Sequence, residues 1–115
     1  MKKTETLKKN YEYRRILNKG KYISAEYLEC FYLKNNKHIN FIGIAISAKL
    51  AKAHKRNEIK RYIRENYTQL EEKLNTGMSM VFLVKKHKNI EEISFYTVKN
   101  DMEKILKEME IYHVG

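Results

Sequence analysis

Seven Lys or Arg stand among the sixteen residues Lys49–Arg64, "KLAKAHKRNEIKRYIR", against one acid, Glu58. Side chains of these types at this density are suited to holding phosphate: Arg engages it bidentately and Lys acts as a point charge. Residues 1–21 are similarly unbalanced, with eight basic and two acidic side chains. Residues 22–48 carry two of each, and residues 65–115 carry seven basic and nine acidic. The balances +6, 0, +6 and −2, from the N-terminus onward, sum to the net charge of +10. Positive charge focused in two short stretches repels itself unless an anion relieves it. A polyphosphate, meaning nucleic acid, is the partner that fits. An anionic membrane surface fits less well, because an interfacial helix presents Trp, Phe or Leu, whereas Ile59, Tyr62, Ile63 and Leu70 here follow the pattern of a packed core.

Groups for covalent or metal chemistry are sparse. His38, His54, His87 and His113 lie far apart, and neither an HxxxH spacing nor a carboxylate cluster suggests a metal cage on the protein. Each histidine reads as an exposed polar residue, with His54 alone placed beside the basic row and able to touch a nucleic acid held there. Without grouped carboxylates a protein-only nuclease is the least favoured enzyme class, and no residue is assigned a catalytic role. The single cysteine, Cys30, forms no internal disulfide and fits a reducing compartment. The first twenty residues are charged throughout, unlike a signal peptide. No segment approaches the ~18 apolar residues of a membrane span. A cytoplasmic location and no membrane partner are the expectations.

The elements that must position these groups can be read in order. At 115 residues, with 43% hydrophobic and 33% charged side chains, the chain reads as one folded domain, residues 1–115. "LKKNYEYRRILNKG" is a short helix with Asn10 as N-cap and Gly20 as C-terminal cap. Tyr13, Ile16 and Leu17 share one face of it. "YISAEYLECFYL" reads as one half-buried strand and "INFIGIAIS" as a central strand. The polar turn "KNNKH" between them suggests an antiparallel hairpin. The basic helix follows and runs on toward Gly77, and "MSMVFLVK" is a third strand. Ser94 then caps a last helix with Phe95, Val98, Met102, Ile105, Leu106 and Met109 along one stripe. The order α-β-β-α-β-α predicts an α+β fold, an α/β sandwich of helices on a small mixed sheet.

On a wheel of 100° per residue, Ile59, Ile63, Asn66, Tyr67, Leu70 and Leu74 form the docking face of the basic helix. Asn57, Lys60, Arg61 and Arg64 occupy the next sector, with Arg56 at its border. Arg61, three residues after Glu58 and four before Glu65, is placed to pair with both. Arg56, Lys60 and Arg64, at steps of four, are left as an unpaired outward row. A charge run is most often a solvated helix face, but such faces mix their signs and this one does not.

The stretch "ISAKLAKAHKRNEIKRYIREN" resembles the signature of the bacterial ribonuclease P protein subunit. The matching residues are Ser47, Lys49, Ala53, Arg56, Asn57, Ile59, Lys60, Arg61, Arg64 and Glu65. "LKKNYEYRRILNKGKYISAEYLECFYL" resembles the N-terminal segment of that family, so the likeness covers nearly the whole chain. Four positions depart from the pattern: Glu58 stands for a usual Arg, Ala51 for a common Gly, His54 for an aliphatic residue, and Leu17 for a residue that is often aromatic.

The resemblance implies a protein that works with a catalytic RNA to remove the 5′ leader of precursor tRNA. One phosphodiester is hydrolysed and the product keeps its 5′-phosphate. The chemistry belongs to the RNA and its Mg²⁺, with no cofactor bound by the protein alone. The resemblance also implies a left-handed β-α-β crossover, against the right-handed rule. Lys49, Lys52, Arg56, Asn57, Lys60, Arg61 and Arg64 would contact phosphates of the catalytic RNA, positioning it by shape. Lys8, Lys9, Tyr13, Arg14, Leu17 and Phe31, with Arg15 nearby, would form a cleft for the single-stranded leader, its aromatic faces stacking on unpaired bases. Tyr13 and Leu17 at helical spacing fit a core equally well. A structured-RNA-binding module of the ribosome-associated type is the alternative. DNA is not an expected partner, because a recognition helix follows a short turn from a preceding helix, and here a strand precedes it.

Overall fold

The computed structural model describes residues 2–112. Its elements are β1 (Thr4–Thr6), α1 (Asn10–Lys19), β2 (Lys21–Ser24), β3 (Leu28–Lys34), β4 (Asn40–Ala45), α2 (Ala53–Leu70), β5 (Met78–Val84) and α3 (Phe95–Glu108). The strands form one mixed sheet in the order β1-β4-β5-β3-β2. Strands β1, β4 and β5 run parallel, while β3 is antiparallel to both β5 and β2. The α+β class holds, and the α-β-β-α-β-α order is kept with two strands added to it. No helix among the described residues is long and apolar enough to cross a membrane.

Three local expectations are corrected. The segment "YISAEYLECFYL" is two strands. The buried Asp101 carboxylate, on α3, accepts hydrogen bonds from the backbone N–H groups of Glu26, Tyr27 and Leu28 at 3.3, 2.8 and 3.0 Å. That satisfies three donors a turn would otherwise orphan, so the chain reverses there and β2 folds back on β3. The expected hairpin of β3 with β4 does not form, because β5 lies between them. Five of the seven β5 residues are buried, as suits a strand covered on both faces. Asn10 is the first residue of α1 rather than its cap; Lys9 takes the cap position with no side-chain bond, while Gly20 closes the other end.

Strand β1, "TET", carries no apolar pattern and was not legible. Its place is fixed by parallel pairing with β4 and by Glu71, whose carboxylate accepts the backbone N–H groups of Lys2 and Lys3 at 2.8 and 3.2 Å. Burial pushes the Glu71 carboxyl up, but bonds from Thr4 and from those two amides outweigh it and hold its pKa below the ordinary value. Last comes α3, which starts as expected: Ser94 and Thr97 form a reciprocal capping box.

Strand alternation sorts the sheet into two faces. One carries Leu28, Cys30, Ile42, Met80 and Phe82 against Ile59, Ile63 and Tyr67 of α2 and Val98, Met102, Ile105 and Leu106 of α3. The other carries Phe31, Phe41, Val81 and Leu83 beneath α1 alone.

Candidate nucleic-acid interface

The basic helix is entered through a turn. Ser47 accepts the Lys49 N–H on its hydroxyl at 3.2 Å and the Leu50 N–H on its carbonyl at 3.1 Å. Lys52 is the extended N-cap, with no side-chain cap and no acid in the first turn of α2. The positive end of the helix dipole is therefore uncompensated, and Lys49 and Lys52, both exposed, stand beside it. The expected docking face is the buried one: Ile59, Ile63, Asn66 and Tyr67 are covered, and Tyr62 sits half-buried at its edge. Asn66 is satisfied there by donating to the carbonyls of Tyr62 and Phe95 at 2.9 and 3.3 Å.

Of the expected outward row, Arg64 is exposed while Arg56 and Lys60 are half-buried. Lys60 and Arg64 make no ion pair among the described residues. Arg56 has no acidic partner but is half-buried, donating from Nη1 to the Ala51 carbonyl at 2.6 Å. One guanidinium edge is thus used to brace the turn at the position where Ala51 replaces a common Gly. Asn57 is exposed one residue further on.

The expected double pairing of Arg61 is corrected. Arg61 reaches Glu65 at 3.7 Å and lies 5.5 Å from the Tyr62 ring centroid. Glu58 is taken instead by Lys55 at 3.2 Å. Lys55 also reaches the Ile93 carbonyl at 3.5 Å, which fixes its ammonium on the far flank of the helix within reach of Glu58. Hydrogen bonds from Lys55, then from Tyr62, hold the Glu58 carboxyl below its ordinary pKa.

Of the expected cleft residues, Tyr13, Leu17 and Phe31 come together on the second sheet face. Tyr13, Leu17 and Phe31 are half-buried around Val81. The Tyr13 ring lies on the backbone of β4 at Gly43, where an added Cβ would come within 2.5 Å of Cε1 and 2.7 Å of Cζ. The Tyr13 hydroxyl donates to the Leu7 carbonyl at 3.5 Å. Lys8, Lys9 and Arg14 are exposed, and the Lys9 ammonium sits 5.7 Å from the Tyr11 ring centroid. Arg15 instead lines a separate recess on the other flank of α1.

Two residues were missed. Gly43 sets the depth at which Tyr13 sits; an isolated Gly inside an apolar strand is the available signal for such a close approach. Tyr22, half-exposed, packs its ring 5.0 Å from that of Phe31 and donates to Glu29 at 2.6 Å, which raises its pKa. The β2–β3 register places Tyr22 opposite Phe31, a pairing hidden while the two strands read as one.

His38, His54 and His87 are each exposed, in the β3–β4 turn, at the start of α2 and in the loop after β5. His113 lies outside the described residues. The described residues contain no group of three or more His, Cys, Asp or Glu that could hold a metal ion. Cys30 is buried and free, with its thiol pKa pushed far up by burial.

A family model described as Ribonuclease P matches residues 1–110. The ribonuclease P protein component of Caldanaerobacter subterraneus subsp. tengcongensis is 32% identical over 110 residues, covering 96% of this chain and 93% of its own. The RNase P protein of Staphylococcus aureus superposes with a TM-score of 0.80 at 27% identity, over 94% of this chain and 97% of that one. The Thermotoga maritima RNase P protein gives the same TM-score and identity over 90% and 96%. With sequence and fold both shared over nearly its full length, the chain belongs to the ribonuclease P protein family.

Proposed function

We propose that this chain binds the catalytic RNA of ribonuclease P and the single-stranded 5′ leader of precursor tRNA, assisting endonucleolytic removal of the leader. The observation that carries this reading is the division of charge around α2. Its acids are matched locally, Glu58 by Lys55 and Glu65 by Arg61, while Lys60 and Arg64 remain without an acidic partner among the described residues. Lys49, Lys52, Arg56 and Asn57 continue that flank to the helix start. Backbone phosphates of a folded RNA neutralise such a row and release its counterions. Arg61, shared with Glu65 and Tyr62, contributes at the margin of this contact.

The leader occupies the cleft of Tyr13, Leu17 and Phe31, with Lys8, Lys9 and Arg14 supplying charge. Stacking on these side chains tolerates any base, which suits leaders of varied sequence. We assign Mg²⁺ and the hydrolytic step to the RNA and the scissile phosphate. The protein's buried acids do not fit a metal site, since Asp101 and Glu71 are committed to backbone amides.

The test mixes the full chain with a bacterial ribonuclease P RNA and a leader-bearing tRNA at low Mg²⁺. Stimulated cleavage at the mature 5′ end is the expected result, with no cleavage by the protein alone. RNA binding without stimulation would overturn the processing role and leave a structured-RNA-binding module.

A further inference from the structure

Helix α1 crosses the sheet. The proposed leader site of Tyr13, Leu17 and Phe31 packs around Val81, with Leu83 beyond it toward the end where β4 runs on to the basic helix. At the opposite end, where β3 finishes and β4 and β5 begin, lies a separate recess of about 420 Å³. Its floor includes Leu33 and Phe41, and its rim carries Arg15, Lys34 and Lys37 against one acid, Glu12. None of these three cations has an ion pair among the described residues. The Lys37 ammonium sits 5.3 Å from the Phe41 ring centroid.

The rim is built rather than incidental. Asn35 accepts the Lys37 N–H at 2.8 Å and donates to the Ile39 carbonyl and the Ser79 hydroxyl at 3.1 and 3.2 Å. The turn that presents Lys37 is thereby closed on itself and tied to β5. A flat apolar floor beneath a rim of net charge +2 complements a ligand with a flat ring and a phosphate. The volume also lies within the range of sites for such ligands, roughly 300–1,000 Å³.

We propose that this recess takes one unstacked nucleotide of single-stranded RNA, with its base against Phe41 and Leu33. The phosphate draws the Lys37 ammonium off the ring and shares it with Arg15. The cations are spread over α1, the end of β3 and the β3–β4 turn, which suits successive backbone phosphates better than one terminal group. The inference rests on the proposed function only in taking RNA as the occupant; it adds a second contact, remote from the leader cleft.

The test titrates a short single-stranded oligoadenylate into the ¹⁵N-labelled full chain and follows amide resonances at both ends of the sheet. We expect saturable shifts at Leu33, Lys37 and Phe41. Arg15→Glu and Lys37→Glu should each weaken that response about fivefold, the loss of one partly exposed charge contact, with a smaller change in the midpoint at Leu17 and Phe31. Silence at Leu33, Lys37 and Phe41 while Leu17 and Phe31 respond overturns this inference and leaves the leader cleft standing. The reverse pattern supports the recess and removes the leader-cleft assignment. Unchanged midpoints in both charge variants overturn phosphate recognition here. Adenosine monophosphate binding as tightly as the oligomer overturns RNA as the occupant.

Discussion

The two faces of the sheet are built from the same strands by the same alternation, yet they end in different states. On the face under α2 and α3, Leu28, Cys30, Met80 and Phe82 are fully covered, and their helical partners Ile59, Ile63, Met102 and Ile105 are as well. On the face under α1, Val81 and its neighbour Gly43 are covered, while Phe31, Phe41 and Leu83 remain half-open. Two long helices close the first face, and one ten-residue helix cannot close the second. Half-open aromatics beside exposed cations are what a nucleic-acid surface needs, so under the proposed function incomplete coverage serves binding rather than being a packing fault.

The contrast is most sharply tested by cutting into each face. Phe82→Ala should cost about 3–5 kcal/mol, because the side chain is fully enclosed and its neighbours cannot collapse into the space. Chemical denaturation measures this. The fraction that remains folded should distinguish leader-bearing from leaderless tRNA as the parent does. A selective loss of leader binding would mean that the closed face is not purely structural.

Gly43→Ala comes next. The added methyl would overlap the Tyr13 ring, so either the ring or α1 must move, at roughly 1–3 kcal/mol. Unlike Phe82→Ala, it should selectively weaken leader-bearing substrate. Combining it with Tyr13→Ala tests the route: if the methyl acts by displacing the ring, the double variant binds leader no worse than Tyr13→Ala alone. Additive losses would break the link between Gly43 and Tyr13.

Tyr13→Ala and Phe31→Ala should each lower affinity for long-leader substrate by about 1–3 kcal/mol, the worth of one stacked base, with little change for leaderless tRNA. Circular dichroism checks folding, and equal losses on both substrates would return these rings to the core.

The closed face was also the more legible one in the sequence. Ile59, Ile63, Asn66 and Tyr67 on α2, and Val98, Met102, Ile105 and Leu106 on α3, announce their burial by helical period, because a helix repeats its environment within a few residues. What was not legible depends on partners far along the chain. The break between β2 and β3 is made by Asp101, more than seventy residues away. Strand β1 is held by Glu71 at a similar separation, and β3 reaches β5 past β4. The candidate site divides the same way. The basic row was visible as spacing, and so was the i,i+3 pair of Lys55 with Glu58, passed over in favour of Arg61; the Arg56 brace depends on the turn before the helix, and the seating of Tyr13 on Gly43 follows from tertiary geometry. No helical or strand period encodes such contacts.

The smallest expected effect concerns Glu58, and it separates the two flanks of α2. Lys60→Ala and Arg64→Ala should each lower affinity for the catalytic RNA. Each should also flatten the salt dependence by up to about one unit of log–log slope, since each removes one phosphate contact. Arg56→Ala should do the same and also loosen the turn at Ala51, so its loss should exceed that of Lys60→Ala. Glu58 lies roughly 160° around the helix from Lys60 at ~100° per residue, and its carboxylate is held by Lys55 at 3.2 Å. It does not neutralise the row, and in the proposed binding mode it lies away from the RNA. Glu58→Ala should therefore leave the salt slope unchanged and raise affinity slightly, by removing one negative charge and freeing Lys55. Binding isotherms at several salt concentrations decide it. A loss as large as that of Lys60→Ala would place Glu58 in the contact, through a bridging cation, and the RNA would then embrace both flanks of the helix rather than one.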